Sequence, residues 1–279
     1  MQARVIVLGS GTSHGVPMIG CTCAVCRSTD PRDRRSRPSI YVDVQDGPSI
    51  LVDTSTDLRQ QALAHGVNRV DAILFTHSHA DHIMGLDDVR RFNVMQSGAI
   101  PAYADARTST DLRRAFSYVF NPPDEKGGGI PQLSLTTIDG PFDVGGVGIQ
   151  PVPIFHGPRP ILGFRFGSFA YLTDCNRLAD EAWPLLDGVD VLILDALRHR
   201  PHPTHFTVAG ALQVVERVKP RLTYFTHVCH DLPHAATNAS LPRGVELAYD
   251  GLALTIETAP AFAKATADKP AAGPEDEWT

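Results

Sequence analysis

The run Thr76-His77-Ser78-His79-Ala80-Asp81-His82, directly after the apolar stretch Ala72-Ile73-Leu74-Phe75, decides how this chain reads. The apolar stretch has the length and composition of a buried strand. Three imidazoles and a carboxylate at spacings of two, two and one cannot share one face of a strand or of a helix. In a loop at a strand's end they can converge on two points about 3.5–4 Å apart, the separation of a two-metal site. Neutral imidazoles suit zinc, manganese, iron or nickel, and the carboxylate adds a hard oxygen donor. Three more donors repeat the placement: His156 follows the apolar run 152–155, Asp174 follows 171–173, and His227 follows 222–226. Four strand ends that each deliver donors describe a metal site along one edge of a sandwich.

The rest of the chain agrees with that architecture. Its 279 residues, 43% of them hydrophobic, suffice for one large core or two modest ones. Lys and Arg number 25 against 31 Asp and Glu, a formal net charge of −6. That balance opposes a general nucleic-acid or anionic-membrane binder, which needs a basic field. No apolar run reaches the length of a membrane span. The N-terminus passes straight into a strand-like run instead of a signal-peptide core, which predicts a cytoplasmic protein. Further strands are expected at 5–8, 50–52, 147–154, 189–194 and 222–225, and helices at 57–64, 84–95, 111–119, 179–186 and 208–218. Thr207 is the expected N-cap of the last helix. Runs 147–154 and 162–172 read as hairpin strands, with Gly167-Ser168 as the turn. Strands followed by helices, twice over and with hairpins, predict a mixed α/β sandwich, whereas strict βαβ alternation is missing. The polar stretch 121–131 reads as a surface loop, with a lid over the site as the alternative. Residues 259–279, rich in Ala, Pro and charge, predict a disordered tail behind a single domain spanning 1–258.

A second metal signal stands near the N-terminus. Cys21, Cys23 and Cys26 give C-x-C-x₂-C, three thiolates able to surround one tetrahedral structural zinc. The fourth ligand must come from elsewhere. His230 and Cys229 both lie just beyond His227, and spacing alone does not separate them. Such a zinc would pin the N-terminal loop to the loop that carries His227. Gly9, Gly11 and Gly15 lack the dinucleotide-binding spacing and no phosphate-loop lysine follows, so they predict a tight loop lining the metal site. His14 reads as a structural polar residue there. Arg32, Arg34, Arg35 and Arg37 read as a solvated face paired with Asp30 and Asp33, and His65, His199, His202 and His234 as surface residues.

His77-x-His79-x-Asp81-His82 with His156, Asp174 and His227 resembles the metallo-β-lactamase superfamily over most of the chain. The resemblance implies a four-layer αββα sandwich carrying two divalent metals, manganese or zinc. His77, His79 and His156 would hold the first metal, and Asp81, His82 and His227 the second, with Asp174 bridging. The stretch from Leu8 to Pro17, the cysteine cluster, and Arg34, Arg35, Arg37 and Ser39 are similar to one branch. That branch contains the phosphoribosyl 1,2-cyclic phosphate phosphodiesterase of the carbon–phosphorus lyase pathway. It implies a phosphoric diester hydrolase that opens small cyclic phosphates, of the phosphoribosyl or 2′,3′-cyclic nucleotide type, with a metal-bridging hydroxide. It also implies a structural zinc with His230 as fourth ligand, a homodimer, and His205 as a proton donor near the leaving group, with Asp81 sharing acid–base work. A thioester or lactone hydrolase on the same metals is the alternative within the superfamily.

Overall fold

The structure, a computed structural model, describes residues 1–122 and 129–262. Two β-sheets pack face to face. The first has seven strands in the order Ala253–Glu257, Gln2–Gly9, Ser39–Val44, Ser49–Val52, Ala72–Leu74, Ile100–Ala104 and Leu133–Thr137. The second runs Arg177–Leu178, Val147–His156, Arg159–Phe166, Phe169–Leu172, Val191–Asp195, Leu222–Thr226 and Val245–Leu247. Phe142–Val144 and Ala259–Pro260 also pair with its long strand Val147–His156.

Burial sorts the layers. Alternate residues such as Val5, Val7, Val42, Val52 and Leu74 of the first sheet meet Phe164, Phe166, Tyr171 and Ile193 of the second in a shared central core. The opposite face of the first sheet, with Leu8, Leu51, Ile73 and Phe75, packs on the helical side around Leu58, Phe92 and Leu112. The outer face of the second packs on Val208, Ala211 and Val214 of helix Val208–Val218. Strands buried on both faces need apolar residues at every position, which is why 72–75 and 191–194 are unbroken apolar runs. The result is the expected αββα sandwich.

Helix Val208–Val218 matches its expected bounds, and Thr207 caps it by accepting from Gly210 N at 3.0 Å. The expected helix 84–95 is instead a 3-10 turn, Leu86–Val89, followed by Arg90–Gln96. The run 162–172 is two strands, Arg159–Phe166 and Phe169–Leu172, joined at the expected Gly167-Ser168 turn. Gly167 sits at φ +59 with the backbone of residues 257–259 against it, so the chain must turn there. Ala259 and Pro260, read as the start of the tail, pair with Gly148 and Val147 and extend the ordered chain. The remainder of that tail, 263–279, and the centre of the 121–131 loop, 123–128, lie outside the described residues. No helix among the described residues is long and apolar enough to cross a membrane.

Candidate metal centre and active site

Each donor that the sequence singled out leaves the end of a strand on one rim of the sandwich. His77 and His79 follow Ala72–Leu74, and Asp81 and His82 lie in the short helix Ala80–Ile83. His156 ends the strand Val147–His156, Asp174 lies two residues past Phe169–Leu172, and His227 follows Leu222–Thr226. Asp174 and His227 adopt left-handed φ of 57° and 58°. A non-glycine residue held there costs about 1 kcal/mol or more, a strain found mostly at functional positions.

Asp174 is the hub. Its Oδ1 stands 2.9 Å from His227 Nε2 and 3.3 Å from His82 Nε2, whereas Oδ2 stands 3.7 Å from His77 Nε2. Asp81 Oδ2 lies 3.5 Å from His82 Nε2 and 3.7 Å from His227 Nε2. Asp81–His82–Asp174–His227 and His77–His79–Asp174 each form a donor group, and Asp174–Asp195–His205–His227 forms a third that overlaps the first. His156 lies beside the second, its ring 4.9 Å from that of His79. His77 Nε2, Asp81 Oδ2, His82 Nε2 and His227 Nε2 are buried without a hydrogen-bond partner among the described residues. Buried polar atoms are almost always partnered, so orphans aimed at common points fit a metal ion as the missing partner.

The surrounding bonds set the imidazole tautomers. Asp53 Oδ2 accepts from His82 Nδ1 at 2.7 Å and from Thr76 Oγ1 at 2.8 Å, and Thr76 Oγ1 in turn accepts from His77 Nδ1 at 3.0 Å. The carbonyl of Asp174 accepts from His156 Nδ1 at 2.8 Å. In all three rings the proton sits on Nδ1, leaving the Nε2 lone pair for an ion. Burial pushes the Asp174 carboxyl upward, but His227 and His82 outweigh it and hold the group well below the usual carboxylate range. Burial likewise opposes charge on His227, yet Asp174 and Asp81 raise it to about 10. His77 goes the other way, pushed well down by burial and then by His82.

Asp53 and Asp195 are the site residues that sequence reading missed. Asp53 directly follows the strand Ser49–Val52 and Asp195 ends Val191–Asp195, so the strand-end rule that found the other donors would have found both. Asp195 is fully buried, accepts from His205 Nδ1 at 2.9 Å and from Phe206 N at 3.0 Å, and so directs His205 Nε2 outward. His205 also stacks on His227, with ring centroids 4.6 Å apart.

Beside these rings opens a cavity of about 340 Å³ lined by residues 12–15, Met18, Arg198, His202, His205, His227 and the 229–231 loop. The glycine-rich loop therefore lines the site as expected. A Cβ at Gly9 would run into the carbonyl of Arg37, so that loop closes only on glycine. His202, read as a surface residue, instead lies half-buried in the cavity wall with its ring 4.9 Å from that of His205.

The cysteines meet His230. Its Nδ1 is 3.2, 3.4 and 3.6 Å from the sulfurs of Cys21, Cys23 and Cys26, a four-donor group that fits zinc. Cys229 stands apart, its sulfur accepting from Asp231 N. The arginine run is not the expected solvated face throughout. Arg35 is fully buried, paired with Asp33 at 3.0 Å and donating to the carbonyls of Cys229 and Leu232, so it fastens the His230 loop. His234, also expected at the surface, is only 2% exposed.

Four likenesses to known proteins bear on this arrangement. The profile of the beta-lactamase superfamily domain matches residues 49–228. A solved structure described as a new diphosphatase from the PhnP family is 48% identical and superposes with a TM-score of 0.86, covering 92% of this chain and 98% of that one. An octanoyltransferase of Porphyromonas gingivalis is 38% identical over 91% of this chain, which spans 52% of that protein's length. Zinc-bound PqqB of Methylobacterium extorquens, 21% identical, shares the fold with a TM-score of 0.71 over 90% of this chain and 99% of that one.

Proposed function

The chain belongs to the metallo-β-lactamase superfamily, in the branch of the PhnP-family diphosphatase, and on that premise we propose a dinuclear metal-dependent phosphodiesterase for small phosphorylated molecules. The observation that carries the proposal is Asp174, whose Oδ1 faces the unpartnered Nε2 atoms of His82 and His227 and whose Oδ2 faces that of His77. His77, His79 and His156 would hold one ion, Asp81, His82 and His227 the other, and Asp174 both. Ions bound there supply Lewis acidity towards phosphoryl oxygens and lower the pKa of water.

The protein groups account for the protons and the substrate's orientation. Water attacks phosphorus, the bond to the leaving oxygen breaks, and that oxygen needs a proton. His205, with Nδ1 donating to Asp195, presents Nε2 to the cavity and, as the imidazolium, would hand its Nε2 proton to the departing alkoxide and be left neutral. Asp81 offers a carboxylate beside the same cluster and would take the proton that the attacking water loses. A cavity of about 340 Å³ suits a sugar phosphate or nucleotide. Cys21, Cys23, Cys26 and His230 would hold a structural zinc that fixes the 229–231 wall.

The test is turnover of 5-phosphoribosyl 1,2-cyclic phosphate and a 2′,3′-cyclic nucleotide by metal-loaded protein, with Asp81→Asn as the blank. A dinucleoside diphosphate belongs in the panel because the 48% identical relative is called a diphosphatase. Turnover lost in the variant supports the proposal. No turnover with both ions bound would move the assignment to a thioester or lactone.

A further inference from the structure

One charge in the cavity has no role in the chemistry above. The backbone of Arg198 is tied to the segment that carries the proton donor: its carbonyl accepts from Val208 N at 3.0 Å, and it bridges to Thr207. The guanidinium is fixed as well. Nε donates to the carbonyl of Arg200 at 3.3 Å and Nη2 to that of Pro201 at 3.2 Å. Both partners are neutral, and no carboxylate pairs with Arg198 among the described residues. The carboxylate at this end of the cavity, Asp231, is taken by Arg200 at 2.7 Å. Most arginines near the site are neutralised in this way: Arg35 by Asp33, Arg37 by Asp57 and Arg159 by Asp111.

Arg198 therefore presents a rigid positive charge to the cavity that opens on His205 and His227. His202 and His14 stand on the same wall, with the hydroxyls of Thr12 and Ser13. A wall with this surplus of donors suits a group bearing several acceptor oxygens and a negative charge. The phosphoryl group under attack belongs at the Asp174 cluster, so the donors on this wall face a different part of the substrate.

We propose that Arg198 is a specificity-determining residue that binds a second phosphate of the substrate, away from the bond that is cleaved. The proposal deepens the phosphodiesterase reading and rests on it. The preferred substrate is then a small molecule with two phosphate groups, one at the metal cluster and one at Arg198. His202 and His14 contribute donors to the same subsite. Arg198 acts through binding, and its loss shows as discrimination between substrates.

The experiment compares kcat/KM for 5-phosphoribosyl 1,2-cyclic phosphate with that for ribosyl 1,2-cyclic phosphate, which lacks the second phosphate. Wild type, Arg198→Met, Arg198→Lys and Arg221→Met are assayed with the same metal loading. A charge-assisted contact predicts a wild-type preference of about tenfold or more for the doubly phosphorylated substrate. Arg198→Met should bring the ratio close to one, and Arg198→Lys should keep part of it. Arg221→Met removes a charge of the same sign, paired with Asp190 at the strand start opposite the cavity, and should leave the ratio as in wild type. If Arg198→Met does not fold, the lysine and Arg221 variants still decide the question. A wild-type ratio near one, or equal ratios in wild type and Arg198→Met, overturns the subsite while any turnover sustains the phosphodiesterase reading. Absence of turnover on both substrates overturns that reading, and the subsite falls with it.

Discussion

Asp53→Asn isolates the layer of residues behind the proposed metal donors. Asp53 is fully buried and accepts three hydrogen bonds, from Thr76 N at 2.8 Å, Thr76 Oγ1 at 2.8 Å and His82 Nδ1 at 2.7 Å. It sits at φ 64°, a conformation that asparagine tolerates as well as aspartate, so the backbone stays in place. One amide oxygen can still accept from Thr76 N. The amide NH₂ then meets His82 Nδ1, and two donors cannot share that contact. Either His82 keeps its Nδ1 proton and loses a charge-assisted bond of about 1.5–3 kcal/mol, or the proton moves to Nε2 and abolishes the lone pair. At 1.4 kcal/mol per decade the first route weakens an ion by about 10–100-fold, the range typical of groups that orient metal-bound histidines. Competition with a chromogenic chelator measures the two ions proposed at the rim, and the zinc proposed at the cysteines serves as an internal control. The expected result is one rim ion weakened by that factor with the cysteine site unchanged. Affinities for both rim ions within about threefold of wild type would refute the tautomer argument.

Other consequences are equally open to measurement. Cys23→Ser should remove one zinc equivalent per chain and lower the unfolding midpoint by roughly 10 °C, because binding to such a site is folding free energy; metal analysis and calorimetry check both. Arg159 Nη2 donates to Ser78 Oγ at 2.7 Å, and Ser78 donates to Asp111 at 2.5 Å, clamping the loop between His77 and His79. Arg159→Met should weaken the ion on the His77–His79 side by about tenfold and spare the other, as read by titration with a single metal. His234 is held neutral, its pKa pushed down to about 4 by burial and then by Arg32 and Arg35. The unfolded chain, with a histidine pKa of about 6.5, binds the proton more readily, so this contribution is complete above about pH 6.5 and lost as pH falls towards 4. Urea unfolding at about pH 7 and about pH 5 should show a larger loss in wild type than in His234→Gln.

Much of this was legible in the sequence for a definable reason. A donor at a strand end is visible because the apolar run before it is visible, and the rim is where such runs stop. His77, His79, Asp81, His82, His156, Asp174 and His227 all carry that signature, as does the close spacing of Cys21, Cys23 and Cys26. What escaped is decided by long-range packing. Arg35 looks like one arginine of a basic run, yet it is buried because the carbonyls of Cys229 and Leu232 arrive from nearly two hundred residues away. His202 and Arg198 line the cavity beside His205 in a loop that the Arg198–Thr207 bridge ties to the start of helix Val208–Val218. The Gly167-Ser168 turn was legible, and the approach of residues 257–259 adds the reason that glycine is needed there.

The central claim is that the rim cluster directs water to phosphorus. Its most direct test is hydrolysis of a 2′,3′-cyclic nucleotide by metal-loaded protein in water labelled with oxygen-18, followed by mass spectrometry of the product. The account predicts one labelled oxygen in the phosphate of the monoester and no product from Asp81→Asn. A label on the sugar hydroxyl, or unlabelled product formed equally by the variant, would contradict it.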